Sequence, residues 1–69
     1  MVTNKDINKQ YCIFSLNVKK YRKQLNYTQE MLAEKSDLSI SYIKQIESSE
    51  KYSNVTFTTL SKLAMALNV

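Results

Sequence analysis

Ile40, Ser41, Lys44 and Gln45 fall at helical spacing on one side of a short amphipathic stretch, and their side chains suit recognition rather than bond breaking. The carboxamide of Gln45 sets a donor beside an acceptor, so it can pair at two points with a flat partner edge. Adenine N6 and N7 form such an edge, and that pairing is worth about 1–3 kcal/mol of discrimination. Ser41 donates or accepts and therefore discriminates little. Ile40 offers methyl surface of the kind that meets a thymine methyl, and Lys44 adds a cation. The rest of the chain argues against catalysis. It has no histidine, its single cysteine Cys12 has no imidazole to activate it, and it has no glycine from which a phosphate loop could be made. No acidic cluster has the spacing of a metal site or a general acid–base pair, so no cofactor or metal is expected.

Those four residues need a support that turns them outward. Residues 28–47 read as two short helices with a polar break at Ser36–Ser39. Thr28 caps a helix over Gln29–Ser36, and Ser39 caps one over Ile40–Ser48. Leu32, Ala33, Ile43 and Ile46 face inward, which leaves Gln29, Ile40, Ser41, Lys44 and Gln45 facing out. A helix, a three-to-four-residue turn and a second helix is the unit that lays its second helix in the major groove of DNA.

Apolar residues at Ile7, Tyr11, Phe14, Val18, Tyr21 and Leu25 alternate steps of four and three, the stripe of a long first helix with Asp6 as its N-cap. Residues 1–5 are expected to be a flexible N-terminus, and residues 6–69 one helix-turn-helix domain. Asn26 and Asp37 stand where helices end in a left-handed residue, and asparagine and aspartate tolerate that geometry best after glycine. The polar, aperiodic stretch Ser48–Val55 reads as an exposed loop. Thr56 then caps a last helix whose inward face is Phe57, Leu60, Leu63, Ala64 and Leu67, ending at Asn68. No segment alternates strictly enough for a strand, so the expected fold is all-α, with four helices.

Composition is consistent with that reading. Ten Lys/Arg against six Asp/Glu give a net charge of +4, which favours a polyanionic partner. Sixty-nine residues make one domain, for which a single core supplies only about 3–5 kcal/mol. One cysteine fits a reducing compartment. No apolar run approaches the ~18 residues of a membrane span, so a cytoplasmic protein with no membrane partner is expected.

The order and spacing of several features resemble the lambda-repressor/Cro-like (XRE) helix-turn-helix family. They are Arg22, then Thr28-Gln29-Glu30 with Leu32-Ala33, Leu38-Ser39, Tyr42-Ile43 leading to Ile46-Glu47, and the closing Leu60, Leu63-Ala64 and Ala66-Leu67-Asn68-Val69. The resemblance spans about Phe14 to Val69. The stretch Asn54-Val55-Thr56-Phe57 is similar to the controller proteins of restriction–modification systems. Asn26, Asp37, Ser49 and Asn68 stand where the family usually has glycine, and Val55 where it has proline. Family members often carry a further helix that forms a dimer. This leaves open a truncated five-helix domain or a four-helix one that dimerises through other surfaces.

The resemblance implies a compact lambda-repressor-like domain acting as a repressor-like, sequence-specific transcriptional regulator. It would be a homodimer on double-stranded DNA with a palindromic operator. Base contacts are then expected from Ile40, Ser41, Lys44 and Gln45. Contacts to the DNA backbone are expected from Thr28, Gln29, Ser48, Lys51, Asn54, Lys19 and Lys23. The resemblance also implies a structural ion pair between Arg22 and Glu47 that ties the first helix to the third. Tyr11, Tyr21 and Tyr27 fit the core side of the first helix and its exit, Tyr42 flanks the third helix, and Tyr52 lies in the loop. Ile13 and Leu16 lie off the core stripe and offer a self-association patch. The competing reading is a protein-interaction module, such as an antitoxin or anti-repressor component, with only a minor DNA role.

Overall fold

The computed structural model describes residues 1–48 and 55–69. Within them the chain forms four α-helices, α1 (Asn4–Gln24), α2 (Gln29–Ser36), α3 (Ile40–Ser48) and α4 (Phe57–Leu67), and no strand occurs among the described residues. The expected bounds of α2 and α3 are the observed ones. Most of the loop read over Ser48–Val55 lies outside the described residues, as do Ser49, Lys51, Tyr52 and Asn54.

Polar caps and left-handed residues set the helix ends, as a chain without glycine or proline requires. The Thr28 hydroxyl accepts from the Met31 N–H, Ser39 from Tyr42, and Thr56 from Thr59. Asn26, Asp37 and Asn68 have φ of 61°, 58° and 61°. An α-carbon with a Cβ resists that region, and the short polar side chains of asparagine and aspartate lower the cost. At Asp37 the gain is visible. Its N–H bonds the Glu34 carbonyl and the next N–H, of Leu38, bonds Ala33, which closes α2 and turns the chain into α3 within three residues.

α2 packs on α3 and on α4, and α1 packs on α3 and α4. At the centre Leu32, Ile43 and Ile46 are completely buried, surrounded by Val18, Ala33, Leu63 and Leu67. Four of these seven core residues, Leu32, Ala33, Ile43 and Ile46, lie on α2 or α3 to either side of the turn, so the core itself sets how the two helices lie.

Several expectations are corrected. The N-cap of α1 is Thr3, not Asp6; Asp6 occupies the third helical position and its carboxylate accepts from the Thr3 N–H and hydroxyl, a reciprocal capping box. The helix therefore takes in Asn4 and Lys5, so the segment outside it is shorter than the expected terminus of residues 1–5. Ile7 is exposed, and burial of the stripe begins at Tyr11. On α4 the buried face is Thr59, Leu63 and Leu67, whereas Phe57 is 82% and Leu60 40% exposed. Leu63 and Leu67 are buried and Ala64 half-buried, as expected, and only Phe57 and Leu60 depart from the expected face. Thr59 satisfies its hydroxyl with Thr56, so a polar residue can take the inward position while phenylalanine is left outside.

Asp6 gives a pH-dependent expectation. The backbone and hydroxyl bonds from Thr3 hold its carboxyl below the ordinary value of 3.8. A lowered folded value means that the cap is fully present above 3.8 and is lost as pH falls through the lower, folded value. Carbon chemical shifts of Asn4–Asn8 should then move toward coil values in acid. Asp6→Ala should abolish that pH dependence, and an unchanged acid response in this variant would refute the role.

Candidate nucleic-acid interface

α3 shows two chemically distinct sides. Inward, Ile43 and Ile46 are fully buried and Glu47 nearly so; outward, Ser41, Lys44, Gln45 and Ser48 are exposed. Ile40 departs from the expectation. It is half-buried and packs against the core beside Leu38 and Tyr42, so its side chain is only partly available to a ligand. At the first position of α3 its methyls gain more from contact with the core than from water. The uncovered face therefore starts at Ser41 and runs through Lys44 and Gln45 to Ser48.

The buried side of α3 is locked to the scaffold at two points. Arg22, at the end of α1, donates from Nε to Glu47 Oε2 (2.7 Å) and from Nη2 to Oε1 (3.0 Å), a two-point pair with both side chains largely out of water. Its Nη1 donates to the Tyr27 carbonyl (2.8 Å), which fixes the link between α1 and α2. Ser15 supplies the other point: its buried hydroxyl donates to the Ile46 carbonyl in the last turn of α3, where carbonyls lack helical partners. Sequence reasoning missed Ser15. It sits four residues after Tyr11 and three before Val18, on the core stripe, and its polarity hid it from a search for apolar spacing.

Gln29 is half-buried and donates from Nε2 to Glu47 Oε1 (3.2 Å). One carboxylate thus gathers α1, α2 and α3, and the Gln29 amide is orientated at the start of α2. Helix N-termini present backbone N–H groups that have no intrahelical acceptor, together with the positive end of the dipole. Thr28 commits its hydroxyl to the Met31 N–H, so what it offers an anion is position rather than a donor.

Charge is distributed to the same effect. On α3, Lys44 is exposed while the acid Glu47 is buried and neutralised by Arg22, so the outer face is net positive. Lys19 and Lys23 are exposed on α1, and Lys62 is drawn away to Asp37 at 3.6 Å. Lys35 stands over the Tyr27 ring at 5.1 Å. Among the described residues no group of acids, cysteines or histidines could hold a metal, and no helix is long and apolar enough to cross a membrane.

Two short helices joined by a three-residue turn, the second backed by core and ion pair and bare on its polar side, make a helix-turn-helix unit. The family model described as Helix-turn-helix matches residues 18–69, and the chain belongs to that family. It is also 48% identical over 56 residues to Control protein C.SmaI of Serratia marcescens, a match covering 81% of this chain and 64% of that protein. The chain thus spans less than two thirds of that relative's length. The name agrees with the resemblance to controller proteins read from the sequence. No solved structure matches at a significant level.

Proposed function

We propose that the chain is a sequence-specific, double-stranded DNA-binding transcriptional regulator of repressor-like type, acting in the cytoplasm as a controller protein. α3 enters the major groove. Ser41, Lys44 and Gln45 meet base edges, with Ile40 contributing its exposed methyl surface beside the first turn. Thr28, Gln29, Ser48, Lys19 and Lys23 hold the sugar–phosphate backbone, and Lys51 and Asn54, outside the described residues, are assigned to the same task. Two copies bind a palindromic operator with half-sites about one helical turn (~10 bp) apart. The observation that carries this reading is the two-sidedness of α3, whose polar face is exposed while its other face is held by Arg22 and Ser15.

The family membership and the 48% identity to a control protein support the same reading. Selection of binding sites from random duplexes at near-physiological salt tests it. An enriched palindrome is expected, and recovery of no motif would overturn it. Gln45→Ala should relax preference at one base step by about 1–3 kcal/mol and leave the others unchanged. Lys19→Ala should weaken binding to every sequence alike and flatten the salt dependence by about one unit of slope. A Gln45→Ala protein with unaltered base preferences would remove that residue from the reading surface.

A further inference from the structure

α1 carries six of the chain's ten cations and a single acid, Asp6, which is bonded to Thr3. Ser15 and Arg22 turn to α3, and Phe14 and Tyr21 line the groove toward α4. On the opposite side of the helix Lys9, Ile13, Leu16 and Lys20 follow one another at steps of four, three and four, which sets them in one line along the axis. All four are exposed, Ile13 by 44% and Leu16 by 62%. Among the described residues no acid forms an ion pair with either lysine. An apolar pair is thus closed at each end by a cation, and the two cations stand roughly 16 Å apart along the helix.

We infer that this outer line of α1 docks a second protein, through a helix that carries two carboxylates about three turns apart with apolar residues between them. Charge sets the sign of the partner, and it also excludes another copy of this chain. In a two-fold pairing centred on Ile13 and Leu16, parallel or antiparallel, lysine would stand against lysine. That repulsion disfavours the self-association that the exposure of Ile13 and Leu16 alone suggests.

The apolar centre selects a protein over the other polyanions. Laid on a nucleic-acid backbone, Ile13 and Leu16 would face phosphates and bury nothing. On an anionic bilayer a surface helix puts its apolar face down and keeps its cations on the polar face. Here Lys9 and Lys20 lie within the same sector of the helix as Ile13 and Leu16, so a lipid pose would carry both charges inward with them. Protein interfaces have the matching layout, a dry apolar centre inside a polar rim. The methylene stems of lysine are themselves apolar and widen that centre. A straight line of this length on one helix fits a second helix laid along it.

Placement lets the partner and DNA bind together. The line lies across α1 from Ser15 and Arg22, the residues that hold α3, so a partner seated there leaves the Ser41–Gln45 face uncovered. The inference goes beyond the DNA reading and is measurable without DNA.

The probe is a synthetic helical peptide with two glutamates spaced as Lys9 and Lys20 are, and two leucines between them on the same face. It is titrated into the isotopically labelled full chain. Amide shifts are expected along Lys9–Lys20 and not over Ser41–Gln45, with binding that weakens as salt rises. Joint Lys9→Glu and Lys20→Glu substitution should weaken binding at least about tenfold. A peptide with lysines in place of its glutamates should bind that variant and not the wild type. Leu16→Ala should also cost about tenfold, as loss of a central apolar anchor does. Its helix content and its base preferences in site selection should be those of the wild type. Peptide binding without an enriched DNA motif would sink the DNA reading alone. Absence of peptide binding, shifts centred on the groove between α1 and α4, or failure of the charge-exchanged peptide to restore binding would each overturn the inference. So would uptake of the chain by anionic phospholipid vesicles that Leu16→Ala abolishes.

Discussion

Arg22→Ala should leave most of the chain unfolded at ordinary temperature. Glu47 would remain with its side chain only 3% exposed and with no guanidinium against it. Removing one member of a buried ion pair costs about 3–5 kcal/mol, because the other charge stays desolvated. The whole stability of a single core this size is about 3–5 kcal/mol, so the loss and the reserve are of the same order. The Tyr27 carbonyl would also lose its donor at the α1–α2 link. Arg22→Lys should recover part of the loss, since an ammonium restores charge without the planar two-point fork. Exchanging both residues for apolar ones of similar size, Arg22→Met with Glu47→Leu, should be less harmful than Arg22→Ala alone. Urea unfolding followed by circular dichroism reads all three. A small change in midpoint for Arg22→Ala would show that water reaches Glu47 and that the pair contributes little.

Ile43→Ala should cost about 2–5 kcal/mol, the range for truncating a fully buried aliphatic side chain that leaves a cavity. Ile43 has no accessible surface and stands on α3 against Leu32 and Ile46. The cost falls on the same helix that presents Ser41 and Gln45. A gentler variant separates stability from recognition. Ile43→Val should lose about 0.5–1.5 kcal/mol and keep the folded population high. Its base preferences in site selection should equal those of the wild type, because no atom of the outer face has changed. Altered preferences in Ile43→Val would mean that core packing sets the pose of α3 on DNA as well as its stability.

The two variants mark how far local rules carry. The bounds of α2 and α3 were legible because Thr28, Ser39 and Asp37 act within three or four residues of themselves, through one hydroxyl or one left-handed backbone unit. The identity of the inward residues of α3 was legible for a related reason. In α3, Ile43 and Ile46 stand three apart with Lys44, Gln45 and Ser48 on other sides, so one phase buries the central isoleucines. The pairing of Arg22 with Glu47 was legible only through the family resemblance, since nothing in the spacing of two residues 25 apart brings them together.

Where several phases were apolar, sequence could not choose. α4 is apolar on most sides, so Phe57 and Leu60 read as core, and only the packing of α1 and α2 against the helix left them outside with Thr59 buried. Ile40 looked like a groove-facing residue, and in the fold it packs against the core. Ser15 carries no apolar signal, and its inward place follows from the Ile46 carbonyl that the end of α3 brings to it. The sequence by itself determined the four helices, the caps of α2, α3 and α4 and the polar strip Ser41–Gln45, because each depends on groups a few residues apart. The tertiary structure alone decided which apolar side chains stay outside and which polar ones go in. Burial is settled by the neighbours that distant segments bring, and those segments meet only when the chain has folded.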